Sequence, residues 1–487
     1  MVEVTLYDTL TRSVRPLSAH DGKQLRMYVC GPTVYGPAHI GNFLTFVRFD
    51  VLYRLLKITG HNPFYVRNIT DVDDKTIRQS IAEGLSLEVF TQKWTDKFHL
   101  DCDALGLLKP TLEPTATGHI EEQITLIRTL IEKGFAYAAP DGSVYYQVSK
   151  FPDYGNLAHF DPQALQTQDT NSAGKKNLSD EYDRESVADF ALWKSHKPED
   201  GDNAWDSPWG RGRPGWHIEC SAMSMKYLGE TIDIHGGGED LCFPHHENEI
   251  AQSEAATGKP FCNHWSHGIH LLVEGKKMSK SLGNFFTLND LENKGFTPRE
   301  IRLAMLGGHY RQQFNFTLDA IHAARSAIQK IEKATLRLLQ IAQLDARPET
   351  LESLASGNLP DDFGPFQNAW EAIRRDLNTP GTLGGLHRGL KAATQSAAES
   401  PDKTKDHLTA LAFLLQVIGL QLFVDQANED SSDAVTIPAD ITALAEQRWA
   451  AKQAKDWAAA DSFRNQLAQA GWKSLDRKDG YSLEKQE

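Results

Sequence analysis

Three separated stretches carry side chains able to hold a soft metal ion. Cys30 closes the short apolar run Leu25 to Cys30, which Gly31-Pro32 ends. Cys220 lies in Gly215-Trp216-His217-Ile218-Glu219-Cys220. Phe243-Pro244-His245-His246-Glu247-Asn248-Glu249 reads as a helix start on which His245 and Glu249, four apart, share a face. Two thiolates, an imidazole and a carboxylate are a chemically sensible zinc set. Cys242 competes, because Cys242-x-x-His245 is also a ligand spacing, and spacing alone does not choose between them. Isolated cysteines are usually small buried apolar residues, so such a set depends on a fold that gathers the segments. A second chemistry sits in Lys277-Met278-Ser279-Lys280-Ser281-Leu282-Gly283-Asn284. Two lysines and two hydroxyls in a loop can hold a triphosphate and neutralise charge that develops on departing pyrophosphate. Gly236-Gly237-Gly238 is either a tight turn or a place where backbone approaches a ligand closely.

The elements around these residues follow from periodicity. Leu25 to Cys30 suits a strand. Beyond a loop ending in His39-Ile40-Gly41-Asn42, residues Ile40, Phe43, Leu44, Val47, Val51, Leu55 and Ile58 recur at helical spacing up to a stop at Gly60. Ligands bind at the carboxyl edge of open parallel sheets, and a helix start favours anions. A thiol and a phosphate site are therefore expected side by side. Asn62 to Ile69 reads as a second strand, and Thr70 to Lys75 opens a helix with Thr or Asp as its cap. Strand and helix alternating in this way predict a doubly wound sheet. The pattern is then interrupted by helices near Leu87–Leu105 and His119–Lys133, a hairpin around Pro140-Asp141-Gly142, and a polar loop from Asp161 to Glu185. It resumes with a strand over Thr231–His235 that ends in the three glycines, and another over Trp265–Val273. From Pro298 onward the period is helical. Ala346–Asp362, Ala398–Thr404 and Asp425–Pro438 read as linkers, and Ala439 to Glu487 as two helices, Gly471, and a short strand or hairpin.

Bulk composition narrows the class. The chain has 487 residues and a formal net charge of −14, which argues against a general basic coat but not against a local basic groove. Its five cysteines, Cys30, Cys102, Cys220, Cys242 and Cys262, form no C-x-x-C pair, and this fits a reducing cytoplasm. Residues Met1 to Leu10 lack the apolar core of a signal peptide. The most apolar run, Ala410 to Val424, is too short to span a bilayer and reads as a buried helix, so no membrane association is expected.

Taken together, His39-Ile40-Gly41-Asn42 and the downstream Lys277-Met278-Ser279-Lys280-Ser281 resemble the paired signatures of class I aminoacyl-tRNA synthetases. Segments Cys30–Thr45, Tyr65–Lys75, Ser207–Met223, Asp233–Gln252 and Lys277–Phe286 resemble the cysteinyl-tRNA synthetase family. So do Asp376-Leu377-Asn378-Thr379-Pro380 and Ala454-Lys455-Asp456-Trp457. The resemblance spans nearly the full length.

It implies an α/β, doubly wound parallel-sheet (Rossmann-like) catalytic domain over residues 1–117 and 208–290, with a connective insertion at 118–207. A stem-contact region at 291–345, a helical bundle at 346–430 and a small α+β anticodon-recognition domain at 438–487 follow. The implied reaction activates L-cysteine with ATP, accompanied by Mg2+, and transfers it to tRNA(Cys). One Zn2+ per subunit is implied on Cys30, Cys220, His245 and Glu249, which decides against Cys242. Gly31, Thr70, Trp216 and His235 are implied around the substrate. His39, Gly41, Asn42, Lys277 and Lys280 are implied around ATP. The usual fourth residue of the first signature is histidine; Asn42 can donate a hydrogen bond but carries no charge. A monomer in the cytoplasm is expected. Between Arg299 and Lys330, five basic residues face two acids, a surplus suited to the inner corner of a tRNA. Among Trp449, Trp457, Trp472 and Tyr481, one aromatic is expected to stack on an anticodon base. Two other readings keep part of this chemistry. One is a ligase joining cysteine to an amino sugar, against which the helical and terminal segments argue. The other is a catalytically silent paralogue, against which the Lys277–Ser281 loop argues.

Overall fold

The computed structural model describes residues 2–160, 189–278, 284–397, 403–424, 439–454, 456–477 and 480–485. The polar loop at Asp161–Glu185, Lys280, and the stretch Asp425–Pro438 lie outside the described residues. Residues 1–422 form one compact unit and residues 423–487 a second.

At the centre of the first unit is a four-stranded, all-parallel sheet. Its strands are β1 (Leu25–Val29), β2 (Pro63–Arg67), β3 (Ile234–Gly238) and β4 (Trp265–Gly268), in the order β4-β3-β1-β2. Helix α1 (Ile40–Ile58) connects β1 to β2 and is buried on nearly every side, from Ile40 and Phe43 to Leu55 and Leu56. That pattern marks a helix with protein on both faces. On one side Phe49 lies over Gly236: a Cβ there would come within 2.2 Å of the Phe49 ring. On the other side α1 packs against the helix Thr404–Ile418.

The glycines correct one expectation. Gly236, Gly237 and Gly238 are not a turn after the strand; they are its second half, in parallel register with Ser266, His267 and Gly268. Side chains press on all three, with Leu241 and His246 over Gly237 and Asp240 over Gly238. Strand interiors accept glycine where another group must approach the backbone closely. The stretch Trp265–Val273 also divides, into Trp265–Gly268 and a separate strand Leu271–Val273 that pairs with Phe314–Phe316. Ala346–Asp362 is not merely a linker, since Pro348–Leu354 is helical.

Between β2 and β3 the chain builds a second, antiparallel sheet from Ala136–Ala138, Val144–Tyr146, Phe190–Ser195 and Gly212–Pro214. Its core residues Tyr146, Leu192 and Trp193 continue into Ile218 and Ala222 of helix Trp216–Leu228 and Ala251 of helix Glu247–Thr257. Tyr146 donates to the Ala251 carbonyl at 2.9 Å. The inserted sheet therefore braces the two helices that carry Cys220 and Glu249.

Behind the sheet stands a buried ion pair. Arg302 is 1% exposed. It donates to Asp50 of α1, to the Ile418 carbonyl at 2.9 Å and to the Leu105 carbonyl at 3.1 Å. Gly419 ends the helix Thr404–Ile418 at φ 64, and a Cβ there would lie 2.2 Å from the guanidinium. The run Ala410 to Val424 is accordingly a buried helix and its cap. Among the described residues, no helix is long and apolar enough to cross a membrane.

In the second unit, helices Ala439–Gln453 and Trp457–Gln469 precede Gly471 and an antiparallel pair, Trp472–Arg477 with Gly480–Lys485. Trp472 is core, packed with Ile441, Ala445 and Leu467, whereas Trp457 is 61% exposed.

Removing one member of a buried ion pair leaves the other charge uncompensated. Arg302→Met is expected to cost about 3–5 kcal/mol. Denaturant unfolding monitored by tryptophan fluorescence measures it; a loss under about 1 kcal/mol would show that Asp50 is satisfied without the guanidinium.

Candidate active site and metal centre

The carboxyl edge of the parallel sheet gathers the chemistry-bearing residues. Cys30 follows the last residue of β1. Cys220 sits one turn into helix Trp216–Leu228, whose first residue is Trp216. His245 lies in the irregular turn Cys242–His246, and Glu249 in the helix after it. One donor atom from each of Cys30, Cys220, His245 and Glu249 lies within 4.8 Å of the other three. All four are buried.

The spacings can be tested against a metal. A tetrahedral ion with ~2.3 Å bonds to sulfur has a sulfur–sulfur edge of about 3.8 Å. The Cys30 and Cys220 sulfurs are 3.8 Å apart. Mixed sulfur–oxygen edges come to about 3.5 Å, and Cys30 Sγ lies 3.7 Å from Glu249 Oε1. His245 Nε2 is 3.0 Å from that same oxygen. The donor chemistry and the two sulfur edges fit a zinc-sized ion, while the nitrogen–oxygen edge is at hydrogen-bond distance. Cys242 is directed elsewhere, toward the Leu157 carbonyl at 3.9 Å.

A second quartet, Cys30, His235, His246 and Glu249, also lies within 4.8 Å. It shares two members with the first and offers one thiol instead of two. His235 engages the other carboxylate oxygen, Nε2 to Oε2 at 2.8 Å. Glu249 thus has one oxygen toward the two-cysteine set and one held by His235. Such a partner fixes the orientation of a ligating carboxylate. His246 lies 3.4 Å from Cys30 Sγ through Nε2 and meets His267 through Nδ1 at 2.7 Å. His267 reaches Thr9 Oγ1 at 2.7 Å. On the opposite flank His217 Nδ1 lies 3.0 Å from His245 Nδ1. Trp216 stacks on His245, ring centroids 4.2 Å apart.

Burial and charge sort these groups electrostatically. Burial would raise the Glu249 carboxyl, but the His235 and His245 rings outweigh it and bring its pKa down to about 2. Burial opposes protonation of His245, yet Glu249 and Cys220 raise it to about 10. Burial raises the Cys220 thiol, but hydrogen bonding from Cys30 and the His245 charge bring it to about 6. Burial, together with the neighbouring Cys220 and Glu249, pushes Cys30 well above the ordinary thiol range. Burial and neighbouring histidines hold His217 and His246 well below the ordinary imidazole range. At neutral pH the cluster sets two negative groups, Glu249 and Cys220, against one protonated ring, His245.

Beside it lies a second group. Gly31 is pressed against Asn68, whose carbonyl oxygen would be 1.6 Å from a Cβ at that position, and its N–H donates to Asn68 Oδ1 at 2.9 Å. Thr70 is buried and does not cap a helix; Asp73 caps Asp74–Glu83. Thr70 Oγ1 instead donates to Glu219 at 3.1 Å and accepts from Asn68 Nδ2 at 3.1 Å. Burial and the neighbouring Cys220 raise Glu219 well above the ordinary carboxyl range. Asn68, Glu219, His217, His246 and His267 were not singled out from the sequence. The one signal for Glu219 and His217 was their place beside Cys220 and Trp216, and for His246 its place beside His245.

The two signature stretches meet at the same edge. His39 caps α1: its side chain accepts from the Asn42 N–H at 3.2 Å, while the Asn42 side-chain oxygen accepts from the His39 N–H at 3.1 Å. Asn42 is thereby one half of a reciprocal cap. Ile40 N–H donates to the Phe286 carbonyl at 3.0 Å, and the His39 and Phe285 rings lie edge to face at 5.1 Å. Met278 lies over Gly41, where a Cβ would stand 2.7 Å from the methionine methyl. Lys277 is exposed, and Asn284 ties the loop ends by donating to the Val273 and Lys277 carbonyls at 3.1 and 3.2 Å.

Of the five bases behind the surplus expected over 299–330, four are paired with carboxylates. Arg302 is interior. Arg299 pairs with Glu332, Arg311 with Asp376 and Arg325 with Glu300.

The α/β architecture around this parallel sheet is shared by solved tRNA synthetases. Methionyl-tRNA synthetase of Mycobacterium tuberculosis aligns at TM-score 0.54 and 13% identity, covering 81% of this chain and 89% of that one. A putative arginyl-tRNA synthetase of Campylobacter jejuni aligns at TM-score 0.51 and 13% identity, covering 81% and 91%. The family model for the class I (C) tRNA synthetase catalytic domain matches residues 16–326. Cysteine--tRNA ligase of Opitutus terrae is 52% identical over 483 residues, 98% of each chain. That of Brachyspira hyodysenteriae is 42% identical over 480 residues, 99% of each. The chain belongs to the cysteine--tRNA ligase family.

Metal ligands must be deprotonated to bind, so binding expels protons. At pH 7 the charge pattern above leaves His245 and Cys30 protonated. Zinc added to metal-free protein is therefore expected to release about two protons per ion. Calorimetry in buffers of different ionisation enthalpy counts them, and release of none would contradict the pattern. Cobalt substitution separates the quartets: the two-cysteine set loses about half its thiolate-to-cobalt absorption in Cys220→Ser, whereas the other set is unaffected.

Proposed function

We propose that the chain is a cysteine–tRNA ligase that activates L-cysteine with ATP and transfers it to the 3′ end of tRNA(Cys). The observation that carries this reading is the buried two-thiol quartet beside the junction of the two signature stretches. In this reading Cys30, Cys220, His245 and Glu249 hold Zn2+. When bound, zinc supplies a soft Lewis acid for which a substrate thiolate is a far better ligand than a serine hydroxyl. His235 fixes the Glu249 carboxylate, and His217 and Trp216 fix the His245 ring. Gly31 and Thr70 line the substrate pocket next to Cys30, where the absence of a Cβ keeps the loop tight against Asn68.

His39, Gly41, Asn42 and the free N–H groups of the α1 start face the ATP phosphates, with Lys277 and Lys280 closing over them and Mg2+ accompanying the nucleotide. The cysteine carboxylate attacks the α-phosphorus, the bond to the bridging oxygen breaks, and pyrophosphate leaves. The lysines offset the charge developing on it. The terminal ribose hydroxyl of the tRNA then attacks the acyl carbon and AMP departs. Positioning and charge stabilisation suffice, with no covalent enzyme intermediate. Residues 438–487 read the anticodon in this proposal, with Trp457, 61% exposed, as an aromatic able to stack on a base.

Cysteine-dependent pyrophosphate exchange and charging of transcribed tRNA(Cys) test the activity. Cys220→Ser is expected to lower bound zinc and cysteine affinity together, by about tenfold or more in affinity. A zinc-depleted variant that binds cysteine normally, or exchange that proceeds equally with serine, would overturn the role assigned to the metal.

A further inference from the structure

The cations of the helical region divide into two kinds. Arg299, Arg302, Arg311 and Arg325 are each bound to a carboxylate. Lys330, Arg337 and Lys391 are exposed, and among the described residues no carboxylate pairs with them. These three line one cleft of about 470 Å³, together with His387, Leu390 and Thr394. The cleft runs between helices Leu318–Ile341 and Thr379–Ala397, which pack together. Lys330 and Arg337 are seven residues apart on one face of the first helix, roughly 10 Å along its axis. Lys391 faces them from the second. No acid lines the cleft, and Thr379–Ala397 contains none. The acid of the first helix nearest the cleft in sequence, Glu332, is held by Arg299 at 2.8 Å. Burial, and then the charge of Lys330, hold His387 below its ordinary pKa.

We propose that this cleft is a phosphate-binding groove for the RNA backbone, with Lys330, Arg337 and Lys391 as its contacts. This rests on the reading of the chain as a tRNA ligase. In a chain of net charge −14, a groove of single positive sign focuses a polyanion to one place. The absence of competing carboxylates leaves all three cations available to phosphate. Backbone contacts of this kind orient the nucleic acid without reading its sequence. The groove also moves the RNA contact from the arginine-rich stretch, where each of four arginines is paired with a carboxylate, to its far end at Lys330 and beyond.

The test is the triple variant Lys330→Ala, Arg337→Ala, Lys391→Ala, measured as the full chain beside wild type. The expected result is a KM for tRNA about tenfold higher and a dependence of log KM on log salt shallower by about 2, as for the loss of about three phosphate contacts. Cysteine-dependent pyrophosphate exchange and the thermal melt should be unchanged, since none of the three touches the pocket or the core. An unchanged tRNA KM and salt slope would overturn the proposal. So would loss of tripolyphosphate binding with normal tRNA affinity, because the groove would then hold a free anion. If wild type shows no exchange at all, the ligase reading fails on its own. Direct binding of a fluorescent tRNA transcript to wild type and variant then still decides the groove.

Discussion

The Glu249 carboxylate is the constraint from which the rest of the site follows. It is fully buried, and a charge in that position survives only if both oxygens are engaged. One oxygen faces His235, the other His245 and Cys30. That division draws β3, the irregular turn before Glu249 and the end of β1 to one point. It also explains the glycines of β3: His246 must lie over Gly237 for His235 and Glu249 to meet within the strand's own width.

The inserted antiparallel sheet has a structural consequence beyond its own core. Its apolar residues are continuous with the helices that bear Cys220 and Glu249, so the spacing of the quartet is set by a sheet the chain inserts between two strands of the parallel one. A change of packing there alters the sulfur–oxygen distances within the quartet. In the same way Arg302 ties α1, and with it the His39–Asn42 turn at its start, to Ile418 and Leu105. The helix that begins at the His39–Asn42 turn is thereby anchored from behind by a buried ion pair.

Asn42 shows how a departure from a signature can be absorbed. A side chain at the third helical position must accept the cap residue's N–H, and an amide oxygen does so without charge. The geometry of the turn is kept, while the cation a histidine could offer there is not available.

Much of this was legible from residue order. Periodicity gave α1, the hairpin, the buried Ala410–Val424 helix and the terminal two-helix, two-strand unit, because each is local: its pattern of apolar residues and its stop signals lie within a few turns of chain. The signature stretches identified the family, and the comparisons agree. Tertiary packing decided what distance along the chain hides. It turned the Cys220 sulfur toward Cys30 and the Cys242 sulfur toward Leu157, a difference that spacing along the chain alone does not show. It made the three glycines strand rather than turn, since the pressure of Phe49, Leu241 and His246 on them arises only after folding. It also paired four arginines of an apparently basic stretch with carboxylates, two of which, Asp50 and Asp376, come from distant segments that a count of local charge does not see.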